Sequence, residues 1–142
     1  MQKECLKEFL VLVFLACNAW SDWKERKILL TSVGVMLVLR ILFLWNDFRV
    51  VSGIAGSMGI PFFFLVISLL TKGALGMGDV WIILVLGMYL EVWKLLLVLM
   101  SGLFLAAMYS GWCLLLGKKK RKSEIPFVPF LLFGYAGGLW IW

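Results

Sequence analysis

The sequence predicts an all-α integral membrane protein, a bundle of about six transmembrane helices. Three observations carry that expectation. The 142 residues are 63% hydrophobic, with a mean hydropathy of +1.02. Only 15% are charged. The apolar residues gather in long runs parted by short polar connections. Soluble domains average about 45–50% apolar and about 25% charged residues, and a soluble chain this short has no interior able to hide the surplus. Residues 1–142 are expected to form a single domain with no soluble module attached.

A helical span needs about 20 apolar residues. Six runs meet or approach that length, at roughly 6–21, 28–45, 50–71, 80–91, 94–116 and 125–142. The first follows Lys3, Glu4, Lys7 and Glu8. Its acids spoil the basic start of a secretion signal, and Phe14 spoils the lipoprotein-like Leu15-Ala16-Cys17, so it is expected to be retained as a helix. The second ends at Asn46-Asp47, residues whose side chains favour turns. The third carries Gly53, Gly56 and Gly59 and then Pro61, which is expected to kink it. The fourth is short and is open to extension toward Glu91–Lys94. The fifth repeats small residues at Gly102, Ala106 and Ser110, a spacing that lets membrane helices approach closely. The sixth follows the basic run Lys118–Lys122.

Alternate connections fall on one side of a membrane. Lys24, Arg26, Lys27, Lys72 and Lys118–Lys122 share one side, against Lys3, Lys7, Arg49 and Lys94 on the other. Basic residues favour the cytoplasmic face, so both termini are expected outside and Asp22 and Asp79 on the cytoplasmic side. The net charge of +6 then marks topology and contact with anionic lipid headgroups, not a nucleic-acid partner.

Several chemistries are excluded by what the sequence lacks. Without histidine there is neither a HExxH zinc site nor a serine–histidine dyad. No GxxxxGK[ST] loop and no CxxC pair is present. Cofactor and metal are therefore expected to be absent, and Cys5, Cys17 and Cys113 are expected to be small buried apolar residues. Glu4, Glu8, Glu25, Glu91 and Glu124 lie at run edges or in connections, where a solvated charge is the ordinary state.

Two aspartates stand apart. Asp22 follows the first run, and Asp79 ends the glycine-rich Lys72-Gly73-Ala74-Leu75-Gly76-Met77-Gly78 and opens the fourth. Ionisable groups at such places are costly and mark functional sites. Glycines let a backbone approach closely, so Gly73, Gly76 and Gly78 suit a loop that holds an extended substrate beside Asp79. The plainer alternative makes Asp79 the N-cap of the fourth helix. Two neighbouring carboxylates suffice for aspartyl chemistry: the ionised one activates water, and the protonated one polarises the amide carbonyl. Asp22 follows a helix C-terminus and Asp79 precedes an N-terminus, so helix dipoles alone assign the proton to Asp22 and the charge to Asp79.

Lys72–Val80 resembles the second catalytic motif of the type IV prepilin peptidases, the GxGD membrane aspartyl proteases. Ser21–Ile28 resembles their first motif, and Ile125-Pro126-Phe127-Val128-Pro129-Phe130 their late Ile-Pro-Phe-x-Pro segment. The departures are Leu29 for a usual proline, Trp81 for a common lysine and Val128 for a frequent glycine. The resemblance implies an Asp22/Asp79 catalytic pair, with Lys72, Gly73, Gly76 and Gly78 in a mobile substrate loop. It implies a prepilin or pseudopilin substrate with a short basic leader, and contact with pilus assembly machinery. The chain is similar to the minimal peptidase-only form of tight-adherence pili and archaeal preflagellins, lacking the N-terminal CxxC-bearing region of the methylating members. The substrate's helix is expected against the small-residue faces of the third and fifth spans. The alternatives are a small ion-coupled transporter, a lipoprotein signal peptidase and an inactive pilus-assembly scaffold. A transporter would be expected to show internal repeats and broken midplane helices.

Overall fold

The computed structural model describes residues 2–25, 27–44, 54–71, 76–117 and 125–141, the side chains of residues 2, 3, 43 and 44 excepted. Arg26, the Asn46-Asp47 turn, Arg49, Gly53, the loop residues Lys72 and Gly73, the basic run 118–122 and Glu124 lie outside the described residues. Among the described residues there are six helices and no strand. They are α1 (Gln2–Glu25), α2 (Leu30–Leu44), α3 (Gly59–Leu70), α4 (Met77–Tyr89), α5 (Val92–Leu115) and α6 (Val128–Gly138).

The helices follow the six apolar runs in order, and they differ from them in extent. α1 continues through Trp23, Lys24 and Glu25, so Asp22 lies inside its last turn instead of beyond it. α4 stops at Tyr89, because Leu90 and Glu91 are extended and α5 starts at once. α6 covers only Val128–Gly138, with Pro129 in its first turn and Gly137-Gly138 at its end. Residues 54–57 are also helical, and Met58 keeps helical dihedrals and both backbone bonds, donating to Ile54 and accepting from Phe62, so the third helix runs on from residue 54 with one bond missing at the Ser57 carbonyl. Pro61 explains the missing bond: it has no N–H for the Ser57 carbonyl, and its ring crowds that carbonyl.

One helix, α5, is long and apolar enough to cross a membrane. The helices of the second, third, fourth and sixth runs are apolar but shorter. At about 1.5 Å per residue, the longest of these, Ile54–Leu70, is about 25 Å long, against a hydrocarbon core of about 30 Å.

α6 packs between α1 and α5, while α4 packs on α2 and α3 and also meets α1. Close approach depends on glycine at two crossings. A Cβ on Gly134 would meet Ser101 Oγ, the Val98 carbonyl at 3.0 Å and the Gly102 nitrogen at 3.2 Å. A Cβ on Gly87 would stand 2.7 Å from Pro61 Cγ. Gly102 thus serves an intramolecular contact, and Leu131 of α6 covers it. The core joins Leu15, Ile82, Ile83, Leu86, Leu95, Leu99, Leu131 and Tyr135, all fully buried. Large apolar side chains cover the outward faces as well, among them Phe62, Phe63, Leu70, Phe104 and Met108. The cysteines follow that pattern instead of filling the core. Cys5 and Cys17 are exposed and Cys113 is half-buried, because the apolar surplus of the chain lies on its outside.

Candidate active site

The site is built on the end of α1. Asn18 is fully buried one turn before Asp22. Its Nδ2 donates to the Phe14 carbonyl at 2.9 Å and to Ser32 Oγ at 2.8 Å, and its Oδ1 accepts the Leu29 N–H at 3.2 Å. Ser21 Oγ donates to the Lys27 carbonyl at 2.8 Å. These bonds fold the chain after Asp22 back along α1, so that α2 starts beside the aspartate. A buried amide keeps such a position only when its groups are bonded.

Asp22 is buried, and its Oδ2 accepts the backbone N–H of Val128 at 3.2 Å. Val128 is the first helical residue of α6. Its N–H is one of the donors that a helix start leaves without an internal partner. Asp22 therefore caps a helix far away in sequence, and the positive end of that helix favours the charged carboxylate.

Asp79 lies in the first turn of α4, ahead of the apolar run that opens at Val80. Gly76 occupies the N-cap, so Asp79 is not the N-cap of this helix. The carboxylate leans back over Gly76, where a Cβ would stand 3.4 Å from Asp79 Oδ2. Gly78 has a different task. A Cβ there would lie 2.5 Å from Ile28 Cδ1 and 3.2 Å from Ile28 Cβ. Only glycine lets Ile28, the end of the first motif, rest on the start of α4.

The two carboxylates sense one another. The Asp79 carboxyl is pushed up to about 7, by burial first and by the nearby Asp22 charge second. Both influences favour a proton on Asp79, whereas the Val128 N–H favours charge on Asp22. That reverses the assignment expected from helix dipoles alone, because burial outweighs a single helix terminus.

All three sequence motifs meet here: Asp22 bonds Val128, Ile28 covers Gly78, and the Asp22 charge acts on Asp79. Gly76 and Gly78 are at the site, and Lys72 and Gly73 lie outside the described residues. Sequence reasoning missed Asn18. Its signal was available, an amide inside an apolar run four residues before an aspartate. Among the described residues no three His, Cys, Asp or Glu side chains cluster as metal ligands.

The family model of the type IV leader peptidase family matches residues 9–111, which include both aspartates. No curated relative and no solved structure matches the chain. The match covers most of the sequence and the part of the fold that sets Asp22 beside Asp79, and on that ground the chain belongs to the type IV leader peptidase family.

Proposed function

We propose that residues 1–142 form a single membrane-embedded aspartic endopeptidase that removes the short basic leader from prepilins or pseudopilins at the cytoplasmic face. The observation that carries this reading is the meeting of Asp22 and Asp79 on adjoining helix ends, with Val128 bonded to the first and glycines beside the second. Asp22, ionised, takes a proton from water as the water oxygen attacks the scissile carbonyl carbon. Asp79, protonated, hydrogen-bonds the carbonyl oxygen and stabilises the charge that develops there. Collapse of the tetrahedral intermediate breaks the C–N bond, and the proton held by Asp22 passes to the leaving amine.

Membrane placement is supported by the outward apolar faces and by tryptophan positions. Trp20, Trp23 and Trp112 are exposed near the end that carries the aspartates, and Trp93 and Trp140 near the other. Tryptophan concentrates at both membrane–water interfaces. In this arrangement the basic connections and both aspartates face the cytoplasm, where a basic leader is presented, and both termini lie outside. Lys72 and Gly73 belong to the loop that admits the substrate, and pilus assembly machinery receives the product.

The test is cleavage of a co-expressed prepilin by the wild type, Asp22→Asn and Asp79→Asn, followed as a gel shift. Cleavage by the wild type, with each variant slower by roughly 10³-fold or more, is the expected result. Retained cleavage in either variant would remove that aspartate from the mechanism. Absence of cleavage by the wild type across a panel of prepilins would favour an assembly scaffold.

A further inference from the structure

At the end of the bundle opposite the aspartates lies a second polar site. A cavity of about 280 Å³ opens between the start of α1, the far half of α2 and the α4–α5 turn. Its charged lining is balanced, with Glu4, Glu8 and Glu91 against Lys7, Arg40 and Lys94. The chemistry centres on Arg40. This residue is only 4% exposed, yet its Nε–H has no hydrogen-bond partner among the described residues. The Tyr89 ring lies under the guanidinium at 5.1 Å and satisfies no N–H. The Tyr89 hydroxyl already donates to the Met36 carbonyl. Glu4, whose charge acts on Arg40, is itself bonded to Lys7 at 2.6 Å.

A buried guanidinium with an idle donor calls for an anionic acceptor. Arginine's planar fork matches phosphate oxygens. A strongly charged anion alone matches only half of this lining, because the cavity is charge-balanced and Glu8 and Glu91 share it. A zwitterion fits both halves of the lining: a phosphodiester on Arg40, and an N–H-bearing ammonium on the carboxylates. On the membrane placement proposed above, this end of the helices lies at headgroup depth.

We propose that this cavity binds the headgroup of an aminophospholipid, with Arg40 holding the phosphate and Glu8 and Glu91 accepting the ammonium. Bound there, the lipid joins α1, α2 and the α4–α5 turn, and so braces the end of the bundle away from the catalytic pair.

The experiment follows thermal unfolding of the detergent-purified protein during titration with short-chain phosphatidylethanolamine, phosphatidylglycerol, phosphatidylcholine or inorganic phosphate. Phosphatidylethanolamine is expected to raise Tm at lower concentration than the other three. Arg40→Gln should weaken its apparent affinity by about tenfold, the scale of one charge-assisted hydrogen bond. The double variant Glu8→Gln/Glu91→Gln should keep phosphate recognition and lose the preference for phosphatidylethanolamine over phosphatidylglycerol. If Arg40→Gln does not purify folded, the double variant decides. An equal response from inorganic phosphate would overturn the lipid assignment in favour of a free anion site. An unchanged phosphatidylethanolamine affinity in Arg40→Gln, or an unchanged preference over phosphatidylglycerol in the double variant, would overturn the site. Purification without detergent would instead strike at the membrane placement, and leader cleavage assayed in parallel keeps the catalytic reading separate.

Discussion

Val128 donates its backbone N–H to Asp22 Oδ2 at 3.2 Å, tying the start of the last helix to the end of the first. The bond gives Asp22 a partner that favours its charge, while Asp79 is pushed up to about 7 by burial and by that same charge. The consequences are open to measurement at several positions.

The first concerns pH. Asp79 holds its proton below about 7 in the folded protein, against 3.8 ordinarily. The folded-state value is raised, so the stabilising contribution is fully present below the ordinary value and is lost as pH rises through about 7. Wild-type Tm is expected to fall between pH 5 and pH 8 by more than that of Asp79→Asn, which has no proton to lose. Leader cleavage by the wild type should decline over the same upper limb, as the Asp79 proton leaves. Parallel Tm curves for the two proteins would contradict this.

Gly78 and Ile28 form a steric pair. Gly78→Ala places a methyl group against the whole Ile28 side chain, and overpacking of this kind costs about 1–3 kcal/mol. It should slow cleavage through displacement of the chain after Asp22. Ile28→Ala in the same protein should restore much of the loss, a coupling that a double-mutant cycle measures. Gly76→Ala meets only an ordinary 3.4 Å contact and is expected to stay within a few-fold of wild type in cleavage rate.

Asn18→Ala should destabilise the protein by about 1 kcal/mol or more, because the part-buried Leu29 N–H loses its acceptor and Ser32 Oγ its donor. Chemical denaturation in detergent reads this. Asn18→Asp keeps the acceptor for the Leu29 N–H and loses the Nδ2 donor to Ser32 Oγ and the Phe14 carbonyl, so it should not recover full stability.

Two glycines of α6 should respond in opposite directions. Gly134 is closed in by Ser101 Oγ, the Val98 carbonyl and the Gly102 nitrogen, whereas nothing stands within 4 Å of a Cβ on Gly137. Gly134→Ala is expected to cost about 1–3 kcal/mol through separation of α5 and α6. Gly137→Ala should be neutral or gain up to about 1 kcal/mol from helix propensity. Similar Tm changes for the two would mean that α5 and α6 are not in close contact.

The sequence by itself determined the order of the helices, since among the described residues each apolar run carries one helix. It also determined the family, through motifs around Asp22 and Asp79 that lie inside the matched region. Helix ends were less legible. Asp22 lies inside α1 and not after it, and the last helix keeps only 11 residues, because local hydrogen bonds and prolines set those limits and hydropathy does not register them. The proton assignment was misread for a related reason. A helix dipole is visible in one dimension, but the burial of Asp79 and the Val128 N–H at Asp22 come from helices distant in sequence. Arg40 passed unremarked as one charge within an apolar run, and its unpartnered Nε–H in a cavity shared with α1 and α4 is a property of packing. Sequence periodicity reports which elements form, whereas the partners that set charge, close approach and satisfaction of polar groups are supplied only when those elements meet.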